Sequence, residues 1–192
     1  MNKRVDFALS TYPDWQCAKE MGQPHVDRII NHGLSNESYL LRWGQQRFIL
    51  RLFAHDGLHF AGIDAEIKIS RQAHSAGLAP HQVYSSERHR FMVSDYVEGV
   101  HWTASQANDP NNVQRVAALL KAIHLLPRCE RELVLPEVID KYHAELSGTD
   151  FEQAIQSEWQ TQLREFAAHL RLKAEQLVLC HNDLVLENII DT

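Results

Sequence analysis

Cysteine is scarce in this 192-residue chain: Cys17, Cys129 and Cys180 stand far apart. Odd in number and scattered, they exclude a disulfide framework and a cysteine zinc site, and read as reduced thiols. Long apolar runs are lacking too. None approaches the about 20 residues that a bilayer-spanning helix needs, so no membrane insertion is expected. The opening Met1-Asn2-Lys3-Arg4-Val5-Asp6 is not followed by the apolar core of a signal peptide, and the two absences together predict a cytoplasmic location. Positive charge is in deficit, with 19 Lys and Arg against 25 Asp and Glu and a formal net charge of -6. Without a face-sized basic cluster to displace counterions, no nucleic-acid partner is expected. The 12 His are many, yet no pair has the helical spacing with an intervening Glu that binds zinc. Internal repeats and low-complexity segments are missing as well.

What is present is an ordinary globular balance of 44% hydrophobic and 23% charged residues, enough for one large domain or two small lobes. Residues 26–30, 38–43 and 47–53 read as strands of an antiparallel meander. Gly44-Gln45-Gln46 is the hairpin link, and Gly33-Leu34-Ser35-Asn36-Glu37-Ser38 is a small-residue turn. From Ile63 to Ser75 the period becomes helical, with Gly77 and Pro80 ending the helix. Two further strands are expected at 82–84 and 90–97. Beyond Glu98-Gly99 the pattern is helical: Val113 to Ile123, Glu137 to Leu146, and a long amphipathic helix from Phe151 to about Gln176 with Trp159, Leu163, Phe166, Ala167 and Leu170 on its buried face. The class is α+β, divided into residues 1–97, a β-meander plus helix, and 98–192, a partial helical unit.

Near the C-terminus stands His181-Asn182-Asp183-Leu184-Val185-Leu186-Glu187-Asn188. Its Asp-x4-Asn spacing behind a His matches the loop H-R-D-x-x-x-x-N of kinases, where Asp accepts the proton of the attacking hydroxyl and Asn ligates magnesium. The flanking apolar runs Leu177 to Cys180 and Ile189-Ile190 read as strands gripping it. An ordinary turn fits the same residues. Cys180 beside His181 has the makings of a nucleophile pair, but at the end of an apolar run it reads as a core thiol.

If the loop is a kinase loop, the meander owes it a phosphate-covering turn, a cation on the third strand and an acid on the next helix. Gly33, Ser35 and Asn36 fill the turn, where small residues let backbone amides approach phosphate. Arg51, a charge in the apolar strand 48–53, needs a partner, and Glu66 is the one proposed. The segment 90–99, with Asp95 and Val97, would offer backbone amides to an adenine edge, flanked by Met92 and Tyr96. A half-exposed strand is the plainer reading of Arg51, and a core strand ending in a turn describes 90–99 in either case.

The order of these parts resembles the aminoglycoside phosphotransferase and choline kinase superfamily, most closely its thiamine kinase and choline/ethanolamine kinase branch. Gly33 to Leu40 with Phe48-Ile49-Leu50-Arg51, Ala76-Gly77-Leu78-Ala79-Pro80, Leu119 to Pro127, and His181-Asn182-Asp183-Leu184 with Asn188 carry the resemblance over about residues 25 to 190. It implies a protein-kinase-like two-lobe fold, with an antiparallel β-sheet N-lobe and a mainly helical, incomplete C-lobe. ATP and magnesium are the implied cofactors and a small-molecule alcohol, of the choline, ethanolamine or thiamine type, the implied acceptor. Asp183 would be the catalytic base, Asn188 a magnesium ligand, Arg51 the phosphate clamp, Glu66 its anchor and His181 a support of the loop.

Members of that family continue to a further Asp that is the main metal ligand. The resemblance therefore implies a C-terminally truncated chain, its own activity left open, in which Asp191 reads as a turn residue. Apolar Leu184 to Ile190 at that edge would favour a homodimer. An aminoglycoside phosphotransferase and a non-catalytic kinase-like binding protein are the alternatives.

Overall fold

Side chains of period two point to alternate faces of a strand, and consecutive buried residues such as Tyr39, Leu40 and Leu41 or Leu52 and Phe53 mark a sheet covered on both faces. In the computed structural model, which describes residues 2–15, 22–32, 36–54, 62–130, 132–149, 157–169 and 177–192, β1 (His25–His32), β2 (Asn36–Trp43) and β3 (Gln46–Phe53) form an antiparallel meander. The β2–β3 hairpin turns through Gly44, whose φ of 61° is one that a Cβ would resist. β4 (Gln82–Ser86) and β5 (Phe91–Asp95) complete a five-stranded sheet of order β1-β2-β3-β5-β4. β3 thus lies between two partners.

One face of the sheet, with Tyr39, Leu41, Trp43, Phe48, Leu50, Leu52, Val83, Phe91 and Val93, is buried beneath helix α1 (Lys3–Ser10), through Val5, Ala8 and Leu9, and beneath Trp15. The indoles of Trp15 and Trp43 meet edge-on at 5.3 Å, the arrangement that aromatic quadrupoles favour. Helix α1 leaves little sign in the sequence, since its four apolar residues, Val5, Phe7, Ala8 and Leu9, make a weak periodic signal over eight positions. On the other face Phe53 and Met92 pack against Ile63 and Ile67 of helix α2 (Ile63–Ser75), one turn apart on its buried side.

The chain divides into two compact units, Met1–Cys129 with Leu179–Thr192, and Glu130–Val178. The first also holds β6 (Val100–His101), α3 (Ala104–Ala107), α4 (Pro110–His124) and β7 (Ile190–Asp191), with β6 and β7 paired antiparallel. A capping box of Thr103 and Gln106 starts α3. In the second unit α5 (Leu135–Leu146) packs with α6 (Ser157–His169), and Arg164 Nε donates to Asp140 at 2.8 Å.

Several expectations are corrected. Residues 177–180 are not a strand, because no neighbouring strand pairs with them among the described residues, and only Leu179 of the four is buried. Cys180 is therefore exposed rather than a core thiol. Asn36, Glu37 and Ser38 belong to β2 and not to the turn, because β3 runs on to Phe53 and supplies their register partners. The strand expected over 90–97 ends at Asp95, where its pairing with β3 stops at Phe48. Leu163 and Phe166, expected on a buried face, are 51% and 64% exposed, since a helix pair buries only its seam. The ends of the long helix and the side chains of Trp159, Ala167 and Leu170 lie outside the described residues, as do Cys17, Gly33 and Ser35.

Candidate active site

Arg51 sits in β3 between Leu50 and Leu52, so alternation turns it onto the α2 face, with Ser38 of β2 and Met92 of β5 as its register partners. Its Nη1 lies 3.4 Å from Oε1 of Glu66 in the first turn of α2. The two side chains are 40% and 32% exposed, and a pair this wet stabilises a fold by only about 0–1 kcal/mol. Its value is geometric, because it aims a guanidinium that can donate two parallel hydrogen bonds to phosphate oxygens. The ring of Phe53 lies 5.7 Å from the same guanidinium. Asn36 begins β2, two residues from Ser38.

At the far end of β3 the sheet hands over to an extended segment. Asp95 donates its N–H to the His81 carbonyl at 2.9 Å, Tyr96 donates to Arg47 O at 3.1 Å, and Val97 N–H has no acceptor among the described residues. Val97 thus keeps a backbone donor two residues beyond Asp95, available to the acceptor nitrogen of a planar base. Arg47 lies over the Tyr96 ring at 4.5 Å and pairs with Glu98. These residues line an open cavity of about 440 Å³ with Gln45, Gln46, Phe48 and Asp95. Met92 and Tyr96 do not form the expected slot. Met92 is only 8% exposed, packed on Phe53, Ile63 and Ile67, and the Tyr96 ring is occupied by Arg47.

The third cluster is the loop that ends the chain. Asn182 has φ of 60°, a left-handed conformation that Asn tolerates better than most residues, and it turns the backbone into Asp183. A short 3-10 turn, Leu186–Asn188, follows. Asn188 then reaches back: its Nδ2 donates to both the Asp183 carbonyl and the Asp183 carboxylate Oδ2, each at 2.8 Å. The consequence is chemical. With its amide nitrogen committed to Asp183, Asn188 presents Oδ1 as an oxygen ligand, and Asp183 keeps its other carboxylate oxygen to accept a proton. Both residues are exposed.

β7 fixes the end of this loop. Asp191, expected in a turn, is in that strand, and Arg115 of α4 grips it with Nη1 to Oδ2 at 3.1 Å and Nη2 to Oδ1 at 2.5 Å. The Arg115 hydrogen bonds hold the Asp191 carboxyl below its usual range, and the same pairing raises Arg115. Arg115 also covers the Trp102 ring, 5.7 Å away. Nothing in the sequence joins residues 115 and 191. His181 was expected to support the loop, but it is exposed and makes no hydrogen bond with another described residue, so the bracing falls to Asn188 and Asp191. Behind the loop, Leu184, Val185, Leu186 and Ile189 face Trp102 and Val116 across an apolar cavity of about 430 Å³.

The structure therefore joins Arg51 to Glu66 and Asp183 to Asn188, and sets Asp95 and Val97 at the exit of β5. A five-stranded antiparallel sheet with an arginine–glutamate pair between its third strand and the next helix, followed by helices and an Asp/Asn loop, is a protein-kinase-like fold. The chain belongs to the phosphotransferase enzyme family, whose model matches residues 27–191. A comparison with curated protein sequences gives no match. Among solved structures the chain is similar to an ethanolamine kinase of Plasmodium vivax, at 20% identity and TM-score 0.69, covering 91% of this chain and 54% of that one. A choline kinase of Streptococcus pneumoniae is similar at 18% identity and TM-score 0.71, covering 99% and 64%. The streptomycin-ATP-APH(2")-IIa ternary complex follows at 17% identity and TM-score 0.58, covering 99% and 66%. The chain thus spans about half to two thirds of the length of these structures.

Proposed function

We propose that the chain carries the nucleotide- and base-bearing part of an ATP-dependent phosphotransferase that moves the γ-phosphoryl group to a hydroxyl of a small molecule, of the choline, ethanolamine or thiamine type. The observation that carries this reading is the Asn188 amide on the Asp183 carboxylate at 2.8 Å, which orients both groups at once. Asp183 accepts the proton of the acceptor hydroxyl as its oxygen attacks phosphorus. Arg51, aimed by Glu66, donates to phosphate oxygens, and the same role is proposed for Gly33, Ser35 and Asn36, the last at the start of β2. Asp95 and Val97 present backbone groups to the adenine edge. In this reading residues 1–97 form the nucleotide-covering lobe and residues 98–192 the partial lobe that supplies the base.

The donor set suits magnesium, a hard cation that takes oxygen ligands and keeps several waters. Asn188 Oδ1 is the candidate to hold it, while the second Asp183 oxygen is kept for the proton. When bound, the ion neutralises charge on the phosphate oxygens. Among the described residues no three of His, Cys, Asp and Glu gather as a metal site.

The test is phosphoryl transfer from ATP to choline, ethanolamine and thiamine, with an aminoglycoside panel beside them because of the likeness to the streptomycin complex. Turnover with one acceptor is expected, falling about a hundredfold to ten-thousandfold in Asp183→Ala. Equal turnover by Asp183→Ala, or turnover with none of these acceptors together with no binding of magnesium–ATP, would sink the proposal.

A further inference from the structure

Residues outside the matched span 27–191 hold the strand ends that carry the proposed phosphate clamp. We infer that Arg4, with Asn2, is a positioning residue for nucleotide phosphates, acting on Arg51 through the end of β3; the inference rests on the proposed function. Asn2 caps α1, its Oδ1 accepting from Arg4 N–H at 3.0 Å. From the same side chain Nδ2 donates to Glu37 Oε2 at 3.0 Å, and Tyr39 donates to that oxygen as well, at 2.5 Å. One turn of helix is therefore tied to the start of β2.

Arg4 ties it to the end of β3. Its Nη2 donates to Phe53 O at 2.6 Å and to Arg90 O at 3.2 Å, while Phe53 N–H donates to that same Arg90 carbonyl at 2.9 Å. Arg90 itself has φ of 57° and donates back to Ala54 O. A charged donor on two converging carbonyls is a stronger tether than a neutral bond. What it tethers is Phe53, wholly buried on the α2 face, whose ring packs beside the Arg51 guanidinium. The path from Arg4 to Arg51 is thus a hydrogen bond to Phe53, the Phe53 ring, and the guanidinium that Glu66 holds. Asn36 pairs in register with Phe53 and Glu37 with Leu52, so Asn2 and Arg4 pin adjacent rungs at the phosphate end of the sheet. The base-facing end at Asp95 and Val97 lies at the opposite end of β3, since Asp95 pairs with Phe48 and Phe91 with Leu52.

That polarity gives a test that loss of general stability cannot mimic. Magnesium–ATP, ADP and adenosine binding are measured by calorimetry on the whole chain and on Arg4→Gln, Arg4→Lys and Asn2→Ala. Arg4→Gln should weaken ATP and ADP about fivefold, the worth of one good hydrogen bond, and leave adenosine unchanged. Arg4→Lys should restore part of the loss, and Asn2→Ala, an exposed change that keeps the fold, should weaken ATP about twofold. Unchanged ATP affinity in Arg4→Gln and Asn2→Ala overturns the inference, as does an equal fall for ATP and adenosine. If the unaltered chain binds no magnesium–ATP, the proposed function fails and the inference with it, an outcome separate from the other two.

Discussion

Asp191 shows how a single residue's surroundings set its chemistry. The Arg115 fork lowers its affinity for protons in the folded chain, so the carboxylate stabilises the fold above its unfolded value of about 3.9, and that contribution disappears as pH falls through the lower folded value. Thermal midpoints of the native chain and Asp191→Asn should therefore differ at pH 7 and converge as pH is lowered below about 4. A constant difference down to pH 2 would contradict the assignment. Buried size matters elsewhere: Trp43, with no exposed surface and its indole N–H on Gly22 O at 2.6 Å, should cost about 3–5 kcal/mol on truncation to Ala, read from urea unfolding. At this scale the sequence was informative about charges placed against their setting. Arg51 in an apolar strand demanded a partner, and Glu66 is beside it. It was silent about Arg115 with Asp191 and about Arg4 with Phe53, because tethers between distant segments leave no local pattern.

Elements were legible where period and punctuation agreed. Helix α2 starts and stops at the expected residues, because Ile63 and Ile67 mark its face and Gly77, with φ of 73°, follows its end. The meander was legible from apolar, aromatic-rich runs on both sides of the Gly44 hairpin link. The apolar run 177–180 misled, since hydrophobicity signals burial and cannot supply the second strand that a ladder requires. Two-residue strands such as β6 and β7 carry no period at all. Their closeness has a consequence at Gly99, where a Cβ would overlap the Asp191 carbonyl and the Ile190 side chain. Gly99→Ala should push β7 away from β6 and disturb Asn188 two residues before it. The expected result is weakened magnesium-dependent ATP binding with the sheet's circular dichroism unchanged; full binding would show that β7 does not hold the loop.

At the scale of the molecule, order is unevenly distributed. The sheet buries rings and branched chains on both faces, whereas no residue of α4 or α5 is buried, and Val113 of α4 is 54% exposed. Hydrogen exchange should be slowest in β3 and β5 and fastest, among the described helices, in α5 and α6. Protection of α5 equal to that of β3 would overturn this. Among the described residues no helix is long and apolar enough to cross a membrane. The pairing of Val100 with Asp191 also sets a timetable. A ribosome adding about 5–20 residues per second needs several seconds to travel the roughly ninety residues between them, ample time for the sheet to form first. Through that interval β6 lacks its β7 partner, and a nascent chain that already holds Arg51 and Glu66 still lacks Asp183, so the Arg51–Glu66 pair can form well before the Asp183–Asn188 pair.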